Sequence, residues 1–315
     1  MSATGFMPDA AQIAGIKKEL EAYQSERTAI RRSTIWRVPL YLGGLIVAVF
    51  ALALIFNLAA DPAEVWVSTP HVYLYAVAFV AAFFAYFRAV KPVELANSSF
   101  RNRLLPIVFG FIENMRLGKG DVPATFAKLP RETIGDYSDS QFDDIISGKY
   151  EGFTFELYET AAWRRVEKSD VTLFDGIIVA FDMAKPFPGI LVATLKTNTV
   201  MGFFREMFGG MQEIKSGGDL DEDYDFRSDN VEAAQPLVSG QMAQALIWLK
   251  EAWPGEPARI ALSGKDGFLL LPHKKDFFEL PASTEALDYK AYIEPMIADM
   301  ATILATASLV RKIGS

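Results

Sequence analysis

Two uncharged apolar stretches, Val38–Ala60 and Val65–Phe87, constrain this chain more than any other feature. Each is 23 residues long, and only Asp61, Pro62, Ala63 and Glu64 separate them. A helix needs about 20 apolar residues to cross the hydrocarbon core of a bilayer. The pair therefore predicts a transmembrane helical hairpin. Arg31, Arg32 and Arg37 precede the first stretch, and Arg88 and Lys91 follow the second, while the connection holds no basic residue. The positive-inside rule then places both termini in the cytoplasm, with two spans across the plasma membrane. The long basic segment ahead of the first stretch suits an uncleaved anchor better than a signal peptide. Neither stretch contains a charge, which argues against an ion pathway through them. Gly44 and Ala48, Ala78 and Ala82, and Ala81 and Ala85 stand four apart, the spacing that lets helices approach closely in lipid.

Ala10–Arg32 shows helical periodicity, with Ile13, Ile16, Leu20, Tyr23 and Ile30 on one face. Lys17, Lys18, Arg27, Arg31 and Arg32 make it a candidate for contact with anionic lipid, each nearby cation adding about 1 kcal/mol. Packing on a soluble domain, with the basic residues serving only as topology signals, is the plainer reading.

After the second stretch, Phe100–Leu117 reads as an amphipathic helix through Leu104, Leu105, Val108, Phe111, Ile112 and Met115. Strand patterns follow. Phe153, Phe155 and Leu157 alternate with polar neighbours, and Val171–Phe181 and Ile190–Leu195 flank a predicted turn at Lys185–Gly189. Ser228 or Asp229 caps a predicted helix running through Ala252. Arg259–Leu262 and Phe268–Leu271 read as a hairpin around Ser263–Gly267, and Asp288–Ile313 as a final helix. The uncharged part of that helix, Met300–Val310, is too short to span a bilayer. The expected fold class is α+β: an N-terminal two-helix transmembrane hairpin, then a cytoplasmic domain with an antiparallel sheet and flanking helices. The expected divisions are 1–37, an amphipathic helix; 38–90, the hairpin with spans 38–60 and 65–87; and 91–315, the cytoplasmic domain.

One segment stands out for composition. Thr199–Met211 carries Met201, Phe203, Phe204, Met207, Phe208 and Met211, with glycines among them. Such methionine- and phenylalanine-rich surfaces adapt to partners or dip into lipid; a buried core element is the plainer reading.

Several chemistries find no support. A net charge of −8, from 39 acidic and 31 basic residues, disfavours nucleic acid as a partner. Without cysteine there are no disulfides, thiolate nucleophiles or cysteine metal sites. Of the two histidines, His71 lies at a predicted membrane edge and leaves only His273 for a soluble site. Phosphate-binding loops, nucleophile elbows and zinc-protease signatures do not occur. Asp219–Asp225 alternates carboxylates like a calcium loop, but Tyr224 and Asn230 stand where glycine and glutamate are required. It reads instead as a solvated acidic loop. No residue is nominated as catalytic, cofactor-binding or metal-ligating, and no cofactor is expected.

The order of elements resembles a bacterial membrane-protein family, domain of unknown function 3137. The resemblance is carried by Ile146-Ser147-Gly148-Lys149-Tyr150-Glu151-Gly152, Phe155–Glu159, Leu173–Val179 and Lys185-Pro186-Phe187-Pro188-Gly189. Tyr224-Asp225-Phe226-Arg227-Ser228-Asp229, Gly264–Leu271 and Phe277-Phe278 complete it. Gln235-Pro236 departs from the family pattern, where an arginine-containing stretch is usual. The resemblance implies the topology and a single soluble domain, and no catalytic residue comes with it. The functional expectation is a non-enzymatic, membrane-anchored binding or scaffold module, with the bilayer and a protein partner or second copy as partners. A carboxylate- or metal-dependent enzyme and an accessory subunit of a transporter remain the alternatives.

Overall fold

The computed structural model describes residues 10–59, 66–166, 169–196, 210–253, 257–273, 278 and 288–314. The fold is α+β, with an N-terminal helical region followed by an antiparallel sheet with flanking helices. It divides into two compact units. One is built on Pro8–Val108 with Pro281–Tyr292, the other on Phe109–Leu280 with Ile293–Ser315.

The helical unit consists of α1 (Ala10–Ala59) and α2 (Thr69–Val108). No break separates the basic segment from the first apolar stretch: α1 runs through both, carrying Pro39 inside it. Shielded positions recur every three or four residues along α1, at Ile16, Leu20, Tyr23, Arg27, Ile30, Thr34, Val38, Leu42, Leu45, Val49 and Ala53. On α2 they fall at Leu74, Ala78, Ala81, Ala82, Ala85 and Ala89. The alanine spacing on α2 thus lies on its shielded stripe, where small side chains let the two helices of the hairpin approach. Gly44 and Ala48 point outward, and the outer faces carry exposed Ile46, Phe50, Phe79, Phe83 and Phe84. A fully buried His71 pins the end of the hairpin. Its Nδ1 sits 2.6 Å from the Ser68 hydroxyl and its Nε2 3.0 Å from the Ala53 carbonyl oxygen, ringed by Phe56, Trp66 and Tyr75. The predicted turn Asp61–Glu64 lies outside the described residues.

Among the described residues, three helices are long and apolar enough to cross a membrane: Ala10–Leu58, Thr69–Pro92 and Tyr289–Arg311. Their burial separates them. Only 6% of the apolar window is buried in each of the first two, against 61% in the third. The third is α6 (Glu294–Arg311) with a π-helical turn before it; it packs against the sheet strands formed by Ser169–Leu195 and Arg259–Pro272, and its Met300, Ile303, Leu304 and Ala307 are buried.

Among the described residues of the second unit, seven strands form one antiparallel sheet: β1 (Glu113–Lys119), β2 (Asp139–Tyr150), β3 (Phe153–Val166), β4 (Ser169–Leu195), β5 (Gln212–Ile214), β6 (Tyr224–Ser228) and β7 (Arg259–Pro272). The order is β1-β2-β3-β4-β6-β5, with β7 also pairing β4. Three differences from the sequence reading matter. The predicted helix Phe100–Leu117 ends at Val108. Ile112 N–H closes a turn onto the Phe109 carbonyl, and Glu113–Lys119 pairs with β2 as an edge strand. The predicted turn at Lys185–Gly189 is a bend within a single 27-residue strand, β4. The predicted hairpin at Ser263–Gly267 is likewise a bend within β7, which pairs β4 from Gly176↔Pro272 to Ala193↔Ile260. The two irregular stretches face each other, Phe187 opposite Gly264. Pro186 and Pro188 cannot donate to a ladder, so they are tolerated only where pairing is already broken by a bulge.

Side chains alternate across the sheet. One face carries Phe142, Tyr158, Phe174, Ile178, Val192 and Leu270, covered by Phe126, Leu129 and Ile134 from two 3₁₀ turns. The other carries Phe155, Leu157, Ile177, Val179, Leu191 and Leu269, all buried. The β2–β3 turn places Glu151 and Gly152 both at positive φ, and the Glu151 carboxylate accepts a hydrogen bond from Ser308 on α6.

Candidate functional site

Two motifs singled out in the sequence converge at the bend of β4. The Ser228 hydroxyl donates to the Ile190 carbonyl, Ile190 N–H donates to Asp229 Oδ1 at 2.7 Å, and the Asn230 amide donates to the Pro188 carbonyl. Asn230 also accepts from Ala233 N–H, capping α4 (Val231–Val238). The predicted cap was Ser228 or Asp229; both are engaged with the bend instead. Gly189 is required here, because a Cβ would lie 2.3 Å from Asp229 Oδ1. This arrangement sets α4 against β4, β5 and β6, and after Ser239-Gly240 the chain continues as α5 (Gln241–Ala252), which packs on α4 and α6.

The outer side of α5 forms one wall of a half-open cleft of about 500 Å³. The other wall is the turn Ser216–Asp219 with the short helix α3 (Leu220–Asp223), so the expected acidic loop is an ordered turn, a helical turn and then β6. Leu220 and Ala243 form the apolar floor. Ile247 stands half exposed beside them, and Asp223 Oδ2 accepts from Lys250 Nζ at 2.8 Å, tying the two walls together. That contact also holds the Lys250 ammonium above its ordinary pKa. The turn is fastened from within. The Asp221 carboxylate accepts from Ser216 N–H at 2.7 Å and Gly217 N–H at 3.0 Å. Burial works to raise the Asp221 pKa, but these hydrogen bonds and the nearby Lys215 charge outweigh it and hold the group below the usual carboxylate range. Neither Gly217 nor Gly218 has an atom within 4 Å of where a Cβ would sit, so this rim is open to a ligand's approach.

A second cluster surrounds His273. Its N–H donates to the Asp175 carbonyl at 3.0 Å, and its ring lies edge-on to Trp253 at 5.6 Å. Asp299 on α6 is pushed above the usual carboxylate range by the protein around it, and the nearby imidazole partly opposes that shift. Among the described residues, no three histidine, aspartate or glutamate side chains are grouped to hold a metal ion.

The nominated residues fall as follows. Lys17, Lys18 and Arg32 are exposed on α1, Arg27 is buried with its guanidinium 5.9 Å from the Tyr23 ring, and the Arg31 side chain lies outside those described. Arg32 and Trp36 border a broad, open groove of about 820 Å³ whose described lining comes from α1 alone. Met201, Phe203, Phe204, Met207 and Phe208 lie outside the described residues. Met211 is partly buried against the sheet core. The cleft was missed in the sequence because its walls are separate segments. One signal was present: Ile247 falls off the buried face of α5 formed by Met242, Ala245, Leu246 and Leu249.

Residues 172–312 match the family described as protein of unknown function (DUF3137), so the resemblance read from the motifs holds over that segment. Curated proteins give no match. Among solved structures, the chain is similar to the crystal structure of the mycobacterial trehalose monomycolate transport factor A, TtfA. The identity is 9%, the TM-score 0.32, and the coverage 61% of this chain and 88% of that one.

Proposed function

We propose that this chain, with a DUF3137 match over residues 172–312, is a membrane-anchored binding module. In this reading, spans 38–60 and 65–87 cross the bacterial plasma membrane, and residues 91–315 form a cytoplasmic domain that binds a protein partner. One observation carries it: the strongly apolar stretches of α1 and α2 are 6% buried, whereas that of the less apolar helix ending in α6 is 61% buried. Exposed apolar surface on that scale is stable in lipid and costly in water. The half-open cleft supplies a place for the partner. The exposed Lys17, Lys18 and Arg32 would lie against anionic headgroups, and Thr199–Met211 remains a further partner contact in this reading.

Carbonate-resistant membrane association, with a reporter fused after Ser315 active only in the cytoplasm, is the expected result. Release by carbonate, or a reporter active outside the cytoplasm, overturns the anchoring. An accessory role beside a transporter is the second reading, favoured by the outward-facing Gly44 and Ala48. Gly44→Leu with Ala48→Leu then abolishes co-purification of the transporter; unchanged co-purification, or no transporter at all, removes this reading.

A further inference from the structure

We infer that the cleft between Ser216–Asp223 and α5 receives a basic, aliphatic segment of a partner polypeptide. Asp219 and Glu251 hold its cationic side chain, and a neighbouring aliphatic side chain rests on Leu220, Ala243 and Ile247. The inference rests on the binding-module reading and names the chemistry of the partner.

Charge selects the occupant. The lining holds three carboxylates, Asp219, Asp223 and Glu251, and one cation, Lys250, for a net of −2. Asp223 and Lys250 satisfy each other, so the charge offered to a ligand belongs to Asp219 and Glu251. An anion is disfavoured for a second reason. The Ser216 and Gly217 amides, which would otherwise face a phosphate or carboxylate, already donate to Asp221. A bare inorganic cation leaves the floor unused: Leu220 and Ala243 are aliphatic, and Ile247 keeps 50% of its surface exposed. A polypeptide answers both features, with a Lys or Arg for the carboxylates and an adjacent Leu, Ile or Val for the floor. The rim accommodates its backbone, because Gly217 and Gly218 present no side chain there. A volume of about 500 Å³ accepts a few side chains, within the range of small-ligand sites.

The test uses the full chain in nanodiscs of neutral lipid and two fluorescent hexapeptides, Lys-Leu-Gly-Lys-Leu-Gly and Glu-Leu-Gly-Glu-Leu-Gly. The basic peptide binds and the acidic one does not, and added salt weakens binding. Asp219→Lys with Glu251→Lys lowers affinity for the basic peptide about tenfold, two exposed ion pairs at somewhat under 1 kcal/mol each. Ile247→Ser lowers it further, whereas Glu232→Lys, outside the cleft, leaves it unchanged. Far-ultraviolet circular dichroism confirms that each variant is folded. Absence of binding, equal binding of the two peptides, or equal loss from Glu232→Lys overturns the inference. Such a failure in a protein that still resists carbonate extraction leaves the anchoring reading intact, so the two are distinguishable.

Discussion

Gly176→Ala is expected to be among the most damaging single-methyl additions in the sheet. Gly176 lies on β4 directly opposite Pro272 of β7, where the two backbones come unusually close. An added Cβ would sit 2.3 Å from the Leu271 carbonyl oxygen, 2.7 Å from the His273 nitrogen and 2.8 Å from the Pro272 Cα. All three are backbone atoms, so no rotamer change relieves the clash; β7 must move away from β4. Overpacking of a core typically costs about 1–3 kcal/mol, and rigid neighbours place this site at about 3 kcal/mol or more. For a domain of this size, that lowers the melting temperature by roughly 6–12 °C. The assay is thermal unfolding of the full chain in mild detergent, followed by tryptophan fluorescence, since Trp253 lies against His273 at the same end of β7. Gly118→Ala is the control: its Cβ would meet only Ile145 side-chain atoms at 3.5 and 3.7 Å, and it is expected to shift melting little. A Gly176→Ala protein melting within about 2 °C of the parent would refute the close approach of β4 and β7.

Three further outcomes follow from the geometry. Asp229→Ala removes the acceptor for Ile190 N–H and is expected to cost about 1–2 kcal/mol in urea unfolding, whereas Asp229→Asn keeps an acceptor oxygen and costs less; equal losses would count against the clamp on the β4 bend. The Asp221 pKa is held below its unfolded value, so its contribution is fully present above the unfolded pKa, about 4, and is lost as pH falls through the folded value. Asp221→Asn should therefore flatten the acid side of the stability–pH curve below about pH 4, and an unchanged slope there would contradict the assignment. His71→Ala removes both ring hydrogen bonds at the hairpin end. Spin labels at Ala51 and Tyr73 should then report a broader distance distribution, while an identical one would show that the histidine does not pin the helices.

Some of this architecture is a local property of the sequence. The apolar stretches make helices because a run of uncharged, helix-compatible residues satisfies its own backbone wherever it is placed. The β2–β3 alternation around Phe153, Phe155 and Leu157 and the last helix were also legible, since both rest on short-range periodicity, whereas the cap fell to Asn230 because Ser228 and Asp229 are taken by Ile190 across the β4 bend. The bends were not legible. Lys185-Pro186-Phe187-Pro188-Gly189 and Ser263–Gly267 each carry the residues of a reversing turn, yet neither reverses the chain. Each lies opposite the other, and the ladder between β4 and β7 on both sides of the bends holds the two strands through their irregular centres. The apolar spacing that predicted a helix over Phe100–Leu117 was overridden in the same way, by a β2 edge that captured Glu113–Lys119. Sequence alone determined the α+β class and the two apolar helices with their charge asymmetry, because these depend on composition and short-range periodicity. Only the tertiary structure decided the long bent β4–β7 ribbon and the cleft between α3 and α5. Its walls, Ser216–Asp223 and Ala243–Glu251, come from separate elements joined across space by Asp223 and Lys250.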